Sequence, residues 1–136
     1  MRLRPATITD AAFLYQLRCD PEYAAQSFSD PPASLAAHTR WLRGALHSSY
    51  LQQWIVEDDD GHPLGMVRVN GFPTPPEVSV ALVADARGQG IGTAVLGLVQ
   101  QHYPTLRARI KVGNAASRRA FAKAGFRDVA VEVAWP

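Results

Sequence analysis

The stretch that most constrains the fold runs from residue 77 to residue 102. Glu77-Val78-Ser79-Val80-Ala81-Leu82-Val83 reads as a strand, and Ala84-Asp85-Ala86 as a short loop. Arg87-Gly88-Gln89-Gly90-Ile91-Gly92 then forms a glycine-rich turn that opens a helix reaching about His102. Ile91, Ala94, Val95, Leu98 and Val99 recur at helical spacing and give that helix one buried face. Glycine lets the backbone adopt positive φ and come close to an anion. A helix N-terminus offers unpaired N–H groups and a partial positive charge. Together they make a cradle for a pyrophosphate, although a plain helix cap fits the turn alone. A P-loop would need Gly-Lys-Ser/Thr after the turn, and none is present. A dinucleotide fingerprint would need glycine at position 93, which is Thr93. It would also need an acid about 20 residues on, and the next is Asp128.

Charge points to the same region. The net charge is only +2, but residues 87–127 carry Arg87, Arg107, Arg109, Lys111, Arg118, Arg119, Lys123 and Arg127 with no Asp or Glu. The remainder holds all 12 acidic residues. A cationic third on a small chain suggests an anionic ligand there. A nucleic acid is disfavoured, because the region has few aromatics and no known reading motif.

The 136 residues suffice for one domain, expected to span 1–136. With 47% hydrophobic and 19% charged residues the composition is globular. A chain of this size buries roughly two thirds of its unfolded surface. The lone Cys19 excludes a disulfide framework and a cysteine-rich zinc module. His38, His47, His62 and His102 lack metal-ligand spacing, and no Gly-x-Ser-x-Gly occurs, so no metal is expected. No apolar run approaches the roughly 20 residues of a membrane span. Met1 to Asp10 lacks the apolar core of a signal peptide, so the expected compartment is cytoplasmic, with no membrane partner.

Leu3 to Ala6 reads as a strand, placed at an edge by Pro5. Thr9 is a plausible cap for a helix from Asp10 to about Cys19, which Pro21 limits. Residues 20–33 read as irregular, and Ser34 caps a second helix to about His47. Gln53 to Glu57 and Leu64 to Asn70 form strands around an Asp58-to-Gly61 turn. After the central strand and helix come a strand from Leu106 to Val112, a helix from Asn114 to Ala124, and a strand from Phe126 to Val133. The expected order is β-α-α-β-β-β-α-β-α-β, a mixed, mostly antiparallel α/β sheet flanked by helices.

Arg87-x-x-Gly90-x-Gly92 after a strand resembles motif A of the GNAT superfamily of acetyl-CoA-dependent N-acetyltransferases. Asn114-Ala-Ala-Ser117, followed by Ala120-Phe121-Ala-Lys123-Ala-Gly125-Phe126, is similar to the family's second cofactor motif. Leu3-Arg4-Pro5-Ala6-Thr7 with Asp10-Ala11 is similar to its opening strand and helix. Arg18-Cys19-Asp20-Pro21, His38-x-x-Trp41-Leu42 and Glu77-Val78-Ser79-Val80 most resemble the acetyltransferases of amino-sugar nucleotides that act in pseudaminic acid synthesis. Ribosomal-protein acetyltransferases share some of these features.

The resemblance implies a small-molecule amine as acceptor, acetyl-CoA as co-substrate and direct attack through a tetrahedral intermediate. A protein N-terminal acetyltransferase and a non-catalytic acetyl-CoA-binding domain are the alternatives. Val80, Ala81 and Leu82 would line the pantetheine, with the Leu82 N–H polarising the thioester carbonyl. Backbone N–H groups of Gly88, Gln89, Gly90, Ile91, Gly92 and Thr93 would hold the pyrophosphate, with Arg87 opening the turn. Arg118 or Arg119 would reach the ribose phosphate, and Asn114, Ser117 and Phe121 would complete the cofactor site. Glu77 and His38 are the candidate bases. Arg18, His38, Trp41 and Ser79 are the candidate acceptor contacts. Phe121 departs from the pattern, because many relatives carry a tyrosine acid there. The chain also ends ten residues after Phe126, where relatives usually add a strand. That shortened C-terminus suggests an open edge covered in a homodimer.

Overall fold

A computed structural model describes residues 1–136. Its strands are β1 (Arg2–Pro5), β2 (Leu51–Glu57), β3 (Pro63–Asn70) and β4 (Glu77–Leu82). Its helices are α1 (Ala11–Cys19), α2 (Pro21–Gln26), α3 (Leu35–Ala45), α4 (Ile91–Gln100) and α5 (Ala115–Lys123). The strands make one antiparallel sheet in the order β1-β2-β3-β4. Pro5 therefore does lie on an edge strand, where its missing N–H costs no ladder bond. No helix is long and apolar enough to cross a membrane.

Strand side chains alternate between two faces. Ile55, Met66 and Ala81 pack against Leu14, Leu17 and Leu42 of α1 and α3. Val56, Val67, Val69 and Val78 pack against Val95, Leu96 and Val99 of α4 and Phe121 of α5. Each face thus receives a helical layer, which buries both sides of the sheet. In the β2–β3 hairpin, Asp58 Oδ1 accepts from the N–H groups of Asp60 and His62 at 2.9 Å each. Gly61 takes φ +83° there, which is glycine's usual role in a tight turn.

The structure adds a helix to the expected order. Residues 20–33 were expected to be irregular, but Asp20 accepts from the Tyr23 N–H at 3.0 Å and caps α2, with Pro21 in its first turn. Proline at that position starts a helix as readily as it stops the preceding one. The entry to α1 also differs from a Thr9 cap. A 3-10 turn (Ile8–Asp10) precedes the helix, and the Asp10 carboxylate accepts from the Thr7 N–H at 2.7 Å.

Two expected strands are absent. Leu106, Ala108 and Ile110 pack into the core facing α4 and α5 with strand-like alternation. Their segment meets β4 at one parallel bridge only, between Glu77 and Arg107, where the Val78 N–H donates to the Arg107 carbonyl at 2.8 Å. Beyond it the two segments splay apart, so burial follows the apolar pattern without a hydrogen-bonded ladder. Residues 126–133 form no strand either. Val129, Val131 and Val133 are 77%, 79% and 87% exposed. Their alternation lacks the neighbouring strand that would turn it into a buried face.

Candidate functional site

The splay beside β4 opens a cavity of about 480 Å³ between that strand, α2, the 87–93 turn and α5. Strand geometry sets which backbone groups face it. Val78 donates away from β3, to Arg107, whereas Val83 donates toward β3, to the Leu64 carbonyl at 2.8 Å. By the two-residue period the N–H groups of Val80 and Leu82 point to the unpaired outer edge. No protein acceptor meets either of them. Gly65 lies opposite Leu82 on β3. A Cβ at this glycine would overlap the Ala81 carbonyl oxygen, so β4 runs close to β3 just where its other edge is free.

The turn before α4 supplies more free donors. Gly88 and Gly90 hold φ of +73° and +79°. Gly90 is the N-cap and provides no side-chain acceptor. The first N–H of α4 with a protein partner is that of Ala94, which donates to the Gly90 carbonyl at 3.2 Å. The N–H groups of Gly88, Gln89, Gly90, Ile91, Gly92 and Thr93 have no protein acceptor. A continuous run of free donors at a helix start suits a polyanion. Across the cavity, Asn114 Oδ1 caps α5 by accepting from the Ser117 N–H at 3.2 Å. This leaves the Asn114 amide NH₂ without a protein partner. Asn114, Ser117, Arg119, Phe121 and Lys123 all line the cavity.

A family model for the acetyltransferase (GNAT) domain matches residues 1–127. The chain belongs to the GNAT acetyltransferase family. It is therefore an acetyl-CoA-dependent N-acetyltransferase. The fold is similar to that of spermidine N-acetyltransferase from Vibrio cholerae, solved with CoA and spermine. The TM-score is 0.86 at 15% identity, over 95% of this chain and 82% of that one. It is also similar to AAC(6′)-Ib in complex with paromomycin and acetyl-CoA. There the TM-score is 0.77 at 20% identity, over 92% of this chain and 81% of that one. No curated protein matches the sequence.

Within this GNAT domain the expected cofactor residues are mostly gathered in one place. Val80, Leu82, Gly88, Gly90, Ile91, Gly92, Thr93, Asn114, Ser117 and Phe121 line the cavity. Ala81 does not, because its side chain is buried against α1 and α3. Gln89 contributes main chain only, as its Nε2 donates to the Asp85 carbonyl at 2.5 Å. The Arg87 side chain turns to α2, where it pairs with Asp20 and Glu22 at 2.7 Å each. It clasps the turn to α2 instead of projecting as a free cation. Of the two candidate phosphate arginines, Arg119 lines the cavity and Arg118 turns to Asp128 at 3.1 Å.

The acceptor and base candidates divide. Glu77 and Ser79 line the cavity. Glu77 Oε1 accepts from Arg109 Nε at 2.7 Å and from Arg107 at 3.4 Å, while no protein donor reaches Oε2. Arg18 lies outside the lining and donates to the Asp30 carbonyl at 3.2 Å. Trp41 is also outside it, stacked on His38 at 5.6 Å. His38 is 2% exposed between α1 and α3, and its Nδ1 has no hydrogen-bond partner.

Burial lowers the His38 pKa, and the nearby charges of Arg18 and Arg68 lower it further. The folded protein therefore holds a neutral imidazole where the unfolded chain takes up a proton near 6.5. That contribution to stability is full above pH 6.5 and declines as pH falls toward the folded value. The thermal midpoint of the wild type should drop as pH falls below about 6.5. His38→Leu should flatten that decline, which differential scanning at stepped pH would show. An unchanged slope would remove His38 as its source.

Proposed function

We propose that this chain is a cytoplasmic enzyme that moves an acetyl group from acetyl-CoA to the primary amine of a small molecule. Nucleotide-linked amino sugars are the acceptor class that its Arg18–Pro21, His38–Leu42 and Glu77–Val80 patterns resemble. The observation that carries the reading is the run of unpaired N–H groups from Gly88 to Thr93, continued by those of Val80 and Leu82.

Acetyl-CoA supplies the acetyl group as an activated thioester. The Gly88-to-Thr93 donors hold its pyrophosphate, with Arg119 and Lys123 at the same mouth. Val80 pairs with the pantetheine amides through its free backbone edge, and Asn114 donates from its amide nitrogen. The Leu82 N–H meets the thioester carbonyl oxygen and stabilises the charge that develops there. Glu77, through its free Oε2, accepts the acceptor ammonium's proton directly or through water. Ser79 shares the Glu77 face of β4 and orients the amine. Phe121 has no proton to give and packs edge-on to Phe126 at 4.9 Å. A thiol titrating near 8.5 leaves as thiolate at neutral pH without a tyrosine acid. The homodimer would use the exposed Val129, Val131, Val133 and Trp135 surface.

The test is thiol release from acetyl-CoA over a panel of UDP-linked amino sugars, amino-terminal peptides and polyamines. Turnover that requires one amine class is the expected result. Absence of any thermal stabilisation by acetyl-CoA would overturn the reading, and so would thiol release that no amine accelerates.

A further inference from the structure

Arg68 lines the cavity on β3, and its guanidinium has neither a salt bridge nor a protein hydrogen bond, unlike Arg87 and Arg109 of the same cavity. It stands on β3 opposite Ser79, so its side chain shares the α1–α3 face with Glu77 and Ser79. It lines the cavity and is partly buried. No salt bridge or protein hydrogen bond reaches it, and the Trp41 ring lies 5.7 Å from its Cζ. The acids that line the cavity are already engaged: Glu77 with Arg109 at 2.7 Å and Arg107 at 3.4 Å, and Glu22 with Arg87 at 2.7 Å. Gln53, its neighbour across β2, turns its amide nitrogen to Met66 Sδ at 3.7 Å. Burial lowers the Arg68 pKa most, Arg18 lowers it further, and Tyr23 and the charge of Glu77 oppose the shift only in part, so the guanidinium remains a cation at neutral pH.

A desolvated cation without a partner is costly, and a planar guanidinium pairs best with a carboxylate or phosphate. An acceptor with several ammonium groups would meet Arg68 with like charge and leave it uncompensated. We infer that Arg68 is the specificity residue of the acceptor site, and that it takes a carboxylate or phosphate carried by the acceptor next to the amine that Glu77 and Ser79 receive. The inference rests on the transferase reading above and narrows it to amines that also bear an anion. The carboxylate and the phosphate offer the same planar pair of acceptor oxygens, so the two sources are separated by experiment.

The experiment measures thiol release with matched acceptors. Glucosamine 6-phosphate and a UDP-linked amino sugar are set against glucosamine, a dipeptide with a free carboxylate against its amide, and spermidine stands as the polycation. In the wild type, at least one anionic amine should exceed its neutral partner in kcat/KM by about tenfold or more, and should exceed spermidine as well. Arg68→Gln should raise the KM for the anionic amine by a similar factor and erase its advantage, with the acetyl-CoA KM held within about twofold. Arg68→Lys should restore part of the advantage, since charge returns without the planar fork. A preference for spermidine or for the neutral partners would overturn the inference. An equal loss for all acceptors in Arg68→Gln would do so too. If no amine accelerates thiol release, the transferase reading fails separately. The anion site is then read by titrating the same amines into CoA-loaded protein, where equal affinity for anionic and neutral members would overturn it.

Discussion

Gly90→Val should abolish the thermal stabilisation that acetyl-CoA gives the wild type. A ligand at 100 times its dissociation constant adds about 2.7 kcal/mol, so the wild-type shift is large enough to lose. Gly90 holds φ +79° and nothing lies within 4 Å of a Cβ built there. The substitution therefore meets no wall of the protein. Its cost lies in the backbone, because a β-branched residue resists positive φ by about 1–2 kcal/mol. Relaxing that strain turns the N–H groups of residues 88–93 out of their common direction. Affinity should fall by about 100-fold or more, or about 2.7 kcal/mol, while the unliganded protein stays folded. Gly90→Ala, which lacks the second branch, should lose less. A folded Gly90→Val protein that still responds to acetyl-CoA would remove the turn from the co-substrate site.

Leu82→Pro should lower kcat by a factor of about 10² to 10³ with little effect on co-substrate binding. Loss of one oxyanion donor costs about 3 kcal/mol in the best-measured cases. The Leu82 N–H points away from β3, so proline at this position deletes no rung of the β3–β4 ladder. It stands near the strand end, and the neighbouring Val83 N–H keeps its bond to the Leu64 carbonyl at 2.8 Å. The comparison is steady-state kinetics against the acetyl-CoA thermal shift on the same preparation. A folded variant whose kcat stays within about tenfold of wild type would move the oxyanion role to another group.

Much of this site was legible before the fold was known, because its signals are local. Gly88 and Gly90 declare positive φ in the sequence, and Asn114 announces a helix cap three residues before Ser117. The two sheet faces follow from alternation in β2 and β3. What escaped depends on contacts distant in sequence. Arg87 reads as a cofactor residue at the opening of the turn until α2 brings Asp20 and Glu22 to 2.7 Å. The same α2 was hidden because Asp20-Pro21 was read as the end of one helix and not as the start of another. His38 carries a plausible base signature, yet its burial between α1 and α3 needs both helices in place. Leu106, Ala108 and Ile110 alternate as a strand would, but alternation reports burial and is silent on whether a neighbour completes the ladder. Arg68 sits inside the ordinary strand pattern of Met66-Val67-Arg68-Val69. Only the placement of the surrounding acids reveals that none of them forms a salt bridge with it. Gly65 gave no warning either, since its role is the approach of β4 across the sheet.

The free donors of β4 and of the turn before α4 belong to the main chain. An alanine scan of residues 80–93 would therefore leave the Val80 and Leu82 donors in place and score those positions as nearly dispensable. Sequence drift meets the same blindness: side chains at these strand positions can change while the free amide edge persists. The proposed acceptor wall would behave in the opposite way, because Arg68, Glu77 and Ser79 offer side chains to the cavity and each replacement would rewrite that chemistry. A main-chain edge and a side-chain wall thus meet in one cavity and respond differently to substitution. On the proposed reading, a lineage could exchange acceptors by substituting two or three side chains without disturbing the free amide edge of β4.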